Sequence, residues 1–380
     1  MMHSSRHTPW RARRLLAALG TCLGTGLLAV ALMHPLPAQA AKEAGKSGKT
    51  AKEEKAAPAK ERPATSRYPH NDPFANAPAE GDTAYGAYQR GYYRTAYELA
   101  LKQAEDKGDP AAMVLLGELY QRGYHVPRDA KKASDWYRKA ADKGSTDAMF
   151  ALGLMHLSGE GMPEDELGAA KLFQQAADKG HGPAAYNLGL LYLQGRKIPE
   201  NVETAARWFR VAADRNVEDA QYALAVLLKE GNGVKQDLPA SVEMMRRAAN
   251  RGHDTAQLEL AIMQFNGIGM PKDEPAAAIL FRKSALAGNA IAQNRYARLL
   301  YAGRGVPQDK VQSAAWHLLS KSRGLGDPLL DEMMASMSPE DRSRAEQLAQ
   351  KWGLDAQEIR KAGPQPVAPA SPAAPAPQKK

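Results

Sequence analysis

The chain has 380 residues, 44% of them hydrophobic and 24% charged, a balance that excludes collagen-like and wholly disordered polymers and allows one to three globular domains. The formal charge is +9, but the excess basic residues sit in residues 1–72 and 361–380, which leaves the body close to neutral. A folded nucleic-acid-binding face is therefore not expected.

In chain order, the first element is an export signal. Arg6, Arg11, Arg13 and Arg14 precede an apolar run from Leu15 to Met33 and a small-residue site, Ala38-Gln39-Ala40, so residues 1–40 read as a signal peptide cleaved before Ala41. Retention of the run as a membrane anchor is the alternative. Cys22 is the only cysteine and falls inside the leader, so the mature chain has no disulfide and depends on packing for its stability. Residues 41–80 are rich in Ala, Lys, Glu and Pro and read as a disordered linker. The string Gly45-Lys46-Ser47-Gly48-Lys49-Thr50 imitates the end of a phosphate-binding loop, but Glu43 stands where that motif needs glycine.

Residues 81–108 read as a divergent lead-in copy of a helical repeat, and after them the chain has an internal period of 36 residues. Gly123, Gly159, Gly195, Gly231, Gly267 and Gly303 keep that step, as do Ala112, Ala148, Ala184, Ala220, Ala256 and Ala292. Gly144, Gly180, Gly252, Gly288 and Gly324 keep it too, with Asn216 in the one exchanged position. Asn is the other residue that tolerates the left-handed conformation ending a helix. Six copies thus fill residues 109–324. Within each copy the apolar spacing is helical twice over, as in AAYNLGLLYL at 184–193 and AARWFRVAA at 205–213, so each unit is a pair of helices joined by a glycine turn. Asp129, Asp165, Asp237, Asp273 and Asp309 are placed to cap the second helices. Gly117, Gly153 and Gly189, with Ala225, Ala261 and Ala297 at the same place later, imply close approach of helices. A lone helical pair cannot bury its apolar face, so the copies must stack. The fold class is all-α: a right-handed superhelical solenoid of helix-turn-helix repeats. Residues 325–360 form covering helices, the second opening at Ser338 and running to about Trp352, and the Pro/Ala-rich residues 361–380 form a disordered or polyproline tail.

The unit AxxxLGxLYxxGxGVPxDxxKAxxWYxKAAxxG resembles the Sel-one-like repeat, a relative of the tetratricopeptide repeat. Ala112, Leu116, Gly117, Leu119, Tyr120, Gly123, Asp129, Ala133, Trp136, Tyr137, Ala140 and Gly144 carry the resemblance. Copies four and five depart from it, with Met244-Met245 replacing the aromatic pair and Pro239 and Pro275 in the first turn of the second helix. The resemblance implies a non-catalytic scaffold for protein–protein contacts, frequently in bacterial envelopes. A cysteine-rich branch linked to penicillin binding does not carry over, because its cysteines are missing here.

The search for chemistry finds no enzyme, cofactor or metal site. His70, His125, His156, His181, His253 and His317 include no pair three or four apart, and no nucleophile elbow or paired-cysteine site occurs. His156 and His317 read as core substitutes for the family's aromatics, and Trp136, Tyr137, Trp208 and Trp316 as core. Function is instead sought on the first helices, where Phe150, Leu154, Tyr186, Asn187, Leu190, Tyr222, Val226, Glu259, Arg295 and Arg298 form a stripe of varying identity with Glu118 nearby. This stripe is expected on a concave face, apolar in the middle copies and charged toward the ends. An equal alternative is that Tyr186 and its equivalents pack between repeats. The expected partners are envelope or secreted proteins of the periplasm, with cell-wall glycan or exported polysaccharide as the alternative and a lactam hydrolase third.

Overall fold

In the computed structural model the described residues are 83–362; the leader, the linker to residue 82 and the tail beyond 362 lie outside them. Among the described residues there are sixteen α-helices and no strand. Helices α1 (Ala84–Gln89) and α2 (Tyr93–Lys107) form the lead-in. Six pairs come next: α3 (Pro110–Arg122) and α4 (Ala130–Asp142), α5 (Thr146–Ser158) and α6 (Glu166–Asp178), α7 (Gly182–Gln194) and α8 (Val202–Asp214), α9 (Glu218–Glu230) and α10 (Leu238–Asn250), α11 (Asp254–Asn266) and α12 (Glu274–Leu286), and α13 (Ala290–Ala302) and α14 (Lys310–Ser322). Helices α15 (Pro328–Ala335) and α16 (Pro339–Ala362) close the chain.

All twelve repeat helices are 13 residues long, and their starts are chemically specified. Each second helix begins with a side chain accepting a backbone amide two or three residues into the helix. Asp129, Asp165, Asp237, Asp273 and Asp309 do this, and Asn201 does it in the third copy. The first helices are capped as well, by Asp109, Ser145, His181, His253 and Asn289. In His181 the Nδ1 atom accepts from the Ala184 amide at 3.0 Å, so imidazole here replaces a carboxylate or hydroxyl. At the repeat ends, Asn216 adopts φ 62°, the left-handed conformation its glycine equivalents use.

Close approach of helices explains the small residues. A Cβ on Gly117 would lie 2.6 Å from the Tyr137 ring, on Gly153 2.5 Å from Phe173, and on Gly189 2.7 Å from Phe209. The second glycine of the turn has a separate reason: a Cβ on Gly161 would sit 2.5 Å from the Ala130 carbonyl oxygen, the start of the preceding repeat's second helix. In the third copy Lys197 stands at this place, and its amide donates to the buried Glu166 carboxylate at 2.9 Å. Glu166 also pairs with Arg196 at 3.1 Å, so in this copy a buried anion fastens the turn; in the first copy His125 holds the same place at φ 65°.

Two compact units divide the chain. The first comprises residues to Ala223 with Asn232–Val234, and the second comprises Leu224–Gly231 with residues from Lys235 onward. The first unit's core includes Leu116, Leu119, Met155, Phe173, Leu188 and Phe209. The second is built on Met245, Met263, Phe281, Trp316 and Leu330. Buried glutamines recur on the period: Gln221 donates to the Ala213 carbonyl, Gln257 to Ala249 and Gln293 to Ala285 at 3.2, 3.1 and 3.0 Å. Each is a second donor to a carbonyl in the last turn of the preceding second helix, which also accepts from the backbone amide of Asn216, Gly252 or Gly288.

At the C-terminal end of the second unit, Trp352 of α16 stacks on Trp316 of α14, with centroids 4.7 Å apart. The Asp341 amide donates to Ser338 Oγ at 3.1 Å, the cap expected from the sequence. Helix α16 does not stop near Trp352 but continues to Ala362. Gly353 costs about 1 kcal/mol relative to alanine, which the helix-favouring residues on either side outweigh.

Candidate partner-binding surface

The residues of the sequence stripe separate by burial and by partner. In the first unit Phe150, Leu154, Tyr186, Asn187 and Leu190 are half-buried. Phe150 leans on Phe173 and Tyr186 on Phe209, each at 5.7 Å and with interplanar angles of 41° and 40°. Phe173 and Phe209 are the rings that cover Gly153 and Gly189. One arrangement is thus made twice: the inner part of each stripe aromatic completes the core and the outer part remains at the surface. Tyr186 therefore packs on the second helix of its own repeat, where the sequence offered packing between repeats or a concave partner-facing position. Phe150 also lies 4.9 Å from the His181 ring, so it reaches the cap of the next repeat. The second nitrogen of that imidazole is engaged too: Nε2 is 3.3 Å from Asp147 Oδ1, and this bond holds the Asp147 carboxyl below its ordinary range. The Asn187 amide donates back to the Pro183 carbonyl at 2.9 Å.

Tyr222 and Val226 do not belong to a solvent-facing stripe, because both are buried. Every residue from Ala220 to Leu228 is buried, and a helix apolar on all sides is an interior helix. The run AQYALAVLL, polar only at Gln221, carries that signal in the sequence. In the second unit Glu259 is engaged by Lys229 Nζ at 2.9 Å. Arg298 is exposed in part, but its guanidinium forms a two-pronged bond to Asp327, with Nε and Nη2 at 2.5 and 2.9 Å from the two carboxylate oxygens. Asn294 adds a third bond at 2.8 Å. Asp327, itself buried, caps α15, and these bonds pull its carboxyl down to about 2. Arg298 is therefore a fastener for α15, whereas Arg295 is exposed.

The aromatic residues expected in the core divide too. Tyr137 and Trp316 are buried, while Trp136 and Trp208 are half-exposed, and the Lys139 ammonium sits 4.0 Å over the Trp136 ring. His317 is fully buried, its Nε2 2.8 Å from Asp331 Oδ1. His156 is part-buried.

Toward the lead-in the sequence reading placed Glu118 beside the stripe but missed Val114. Val114 and Glu118 occupy the places of Phe150 and Leu154 one repeat earlier, and they line an open cleft of about 450 Å³ with Tyr85, Leu115, Lys143 and Asp147. The 36-residue step from Phe150 to Val114 was the available signal. Among the described residues no group of three His, Cys, Asp or Glu side chains could hold a metal ion, and no described helix is long and apolar enough to cross a membrane.

Six successive pairs match the model for the Sel1 repeat, at residues 110–145, 146–181, 182–217, 218–253, 254–289 and 290–326, which is more than half of the chain. The chain belongs to the Sel1 repeat family. It is similar to the crystal structure of a Sel1 repeat protein from Oxalobacter formigenes, with 29% identity, a TM-score of 0.56, and coverage of 63% of this chain and 98% of that one. It is also similar to a protective antigen of uropathogenic Escherichia coli that displays an SLR fold, with 25% identity, a TM-score of 0.45, and coverage of 77% and 74%. No curated protein matches the chain in sequence. As a Sel1 repeat protein it is an α-solenoid whose repeats, in the family generally, mediate protein–protein interactions.

Proposed function

We propose that this Sel1 repeat protein is an exported, non-catalytic scaffold that assembles protein complexes in the bacterial cell envelope. The observation that carries the reading is the half-buried row Phe150, Leu154, Tyr186 and Leu190 on successive first helices of the first unit. Phe150 and Tyr186 are held from behind by Phe173 and Phe209, so little of their rotamer freedom is lost when the outer part is covered. A partner segment with apolar side chains at the repeat spacing fits this row, with Glu118 and Asp147 supplying a polar margin. Export rests on the basic, apolar and small-residue order of residues 1–40; mature protein recovered from the envelope should begin at Ala41 by N-terminal sequencing.

Crosslinking in intact cells with mass spectrometry of the products tests the scaffold reading. A partner whose crosslinks are lost in Leu190→Asp and reduced in Tyr186→Ala, with the helical circular-dichroism spectrum unchanged, is the expected result. A crosslink pattern indifferent to both substitutions would count against the row as the binding face. Co-sedimentation with purified peptidoglycan examines the glycan alternative, and a nitrocefin assay examines lactam hydrolysis, which is expected to be absent.

A further inference from the structure

Eight of the 14 tyrosines lie between Tyr85 and Tyr137, and most of them fall in the lead-in, where the repeat pattern does not ask for them. Four make one continuous surface in the first unit. Tyr85 stacks on Tyr88 at 6.2 Å, Tyr88 abuts Tyr93 at 5.6 Å and Tyr124 at 6.4 Å, and Tyr93 stacks on Tyr124 at 4.4 Å. Tyr85 is 51% exposed and the other three are half-buried. The surface is fixed from beneath: the Tyr88 hydroxyl donates to Glu118 Oε1 at 2.7 Å, Arg122 pairs with the same carboxylate at 2.9 Å, and the Arg122 guanidinium lies 5.9 Å over the Tyr124 ring. A rigid array of tyrosines offers large contact area with little conformational entropy left to lose, and aromatic-lined surfaces of this kind recognise polyproline helices, whose own shape is preformed.

The chain itself contains a matching ligand. Pro366, Pro369, Pro372 and Pro375 are each three residues apart. A polyproline helix has about three residues per turn and rises about 3.1 Å per residue, so these prolines would form one ridge with a repeat of about 9 Å. Between Pro364 and Pro377 there is no charged residue, which removes any desolvation cost of ions on an aromatic surface. Among the upstream prolines, Pro58, Pro63, Pro69, Pro73 and Pro78, no two are three apart, and charged residues lie among them, so they form no continuous uncharged ridge. We propose that the Tyr85–Tyr124 surface of one molecule docks the proline ridge of residues 366–375 of a second copy of this chain. This surface adjoins the cleft beside the Phe150–Leu190 row through Tyr85 and Glu118, but the proposed contact uses none of the row's side chains and is tested separately from it.

The test uses a fluorescein-labelled peptide of residues 363–380 titrated with the full chain and read by anisotropy. Saturable binding is expected. It should weaken about tenfold or more for a peptide with the four ridge prolines replaced by alanine, for a scrambled peptide of the same composition, and for the full chain carrying Tyr85→Ala and Tyr124→Ala, as truncating interface aromatics does. Tyr85→Ala alone, at the exposed ring, gives a variant that keeps its thermal midpoint and still weakens binding. Sedimentation velocity of the full chain should show concentration-dependent association that the ridge substitutions abolish. Equal binding of the scrambled peptide, or tyrosine variants that lose thermal stability but bind the peptide unchanged, would overturn the proposal and leave the tyrosines as an end cover of the repeats. A full chain that binds the peptide yet remains monomeric at all concentrations would overturn the second copy as the occupant.

Discussion

Gly189 provides the most direct test of how the repeats are packed. It lies in α7, buried, and a Cβ there would meet Phe209 Cε1 at 2.7 Å, Cδ1 at 2.8 Å and the Ala205 carbonyl oxygen at 3.2 Å, where carbon atoms otherwise rest about 3.5–4.0 Å apart. Two effects oppose one another for Gly189→Ala. Alanine in a helix interior gains about 1 kcal/mol over glycine, and overpacking costs about 1–3 kcal/mol. The chain shows how the balance falls, since Ala261 and Phe281 hold the equivalent places in the fifth copy, both buried; the backbone can yield to a methyl group. With the overpacking cost near the lower end of its range and the helix gain set against it, Gly189→Ala should change stability by less than about 1 kcal/mol. Gly189→Leu places three further carbons toward the Phe209 ring and should cost about 3 kcal/mol or more. For a cooperative unit of roughly 150–250 residues that is a fall of about 6–12 °C in thermal midpoint, measured by circular dichroism at 222 nm, the helix band. The cause is separable by a double-mutant cycle. Phe209→Ala alone opens a cavity at a cost of about 3–5 kcal/mol, but with Gly189→Leu the new side chain fills part of it, so the pair should be less destabilised than the sum by more than about 1 kcal/mol. An unchanged midpoint for Gly189→Leu, or strict additivity with Phe209→Ala, would refute the close-approach argument.

Three other substitutions probe the turns, the caps and the acid limb. Gly161→Ala combines φ 74° with a Cβ 2.5 Å from a backbone oxygen, and should lower stability by about 2 kcal/mol or more, seen as a lower urea midpoint. Asp237→Ala removes the acceptor for the Ala240 amide at 2.9 Å and should lower stability by about 1 kcal/mol in the same assay, with Asp237→Asn nearly silent. The Asp327 carboxyl, held down to about 2 mainly by Arg298, contributes stability that is present above the ordinary carboxylate pKa near 4 and lost as pH falls through about 2. Asp327→Asn should flatten that acid limb and lower stability at pH 7 by about 2 kcal/mol in urea titrations; an acid limb of undiminished slope would place the titrating group elsewhere.

The features legible in the sequence are local ones. The 36-residue step, two helices per step, the aspartate caps and the small residue at Gly117, Gly153 and Gly189 all appear in the structure as read, because capping and helical period depend on neighbours a few residues away. His181 and His253 were missed as caps because imidazole is an uncommon acceptor at that position, although the step placed them beside Asp109, Ser145 and Asn289. The candidate stripe fared differently. Tyr186 and Tyr222 hold the same repeat position, yet one is half-buried and the other is interior, and Arg298 spends its charge on Asp327 rather than on a partner.

The sequence alone thus determined where the repeat helices begin and end, how many pairs there are and which positions must stay small, since each is settled by hydrogen bonds and sterics within or next to one repeat. Which side chains remain at the surface was decided only by tertiary structure. Burial is the sum of what every adjoining helix covers, and a 36-residue step repeats a position without repeating its surroundings.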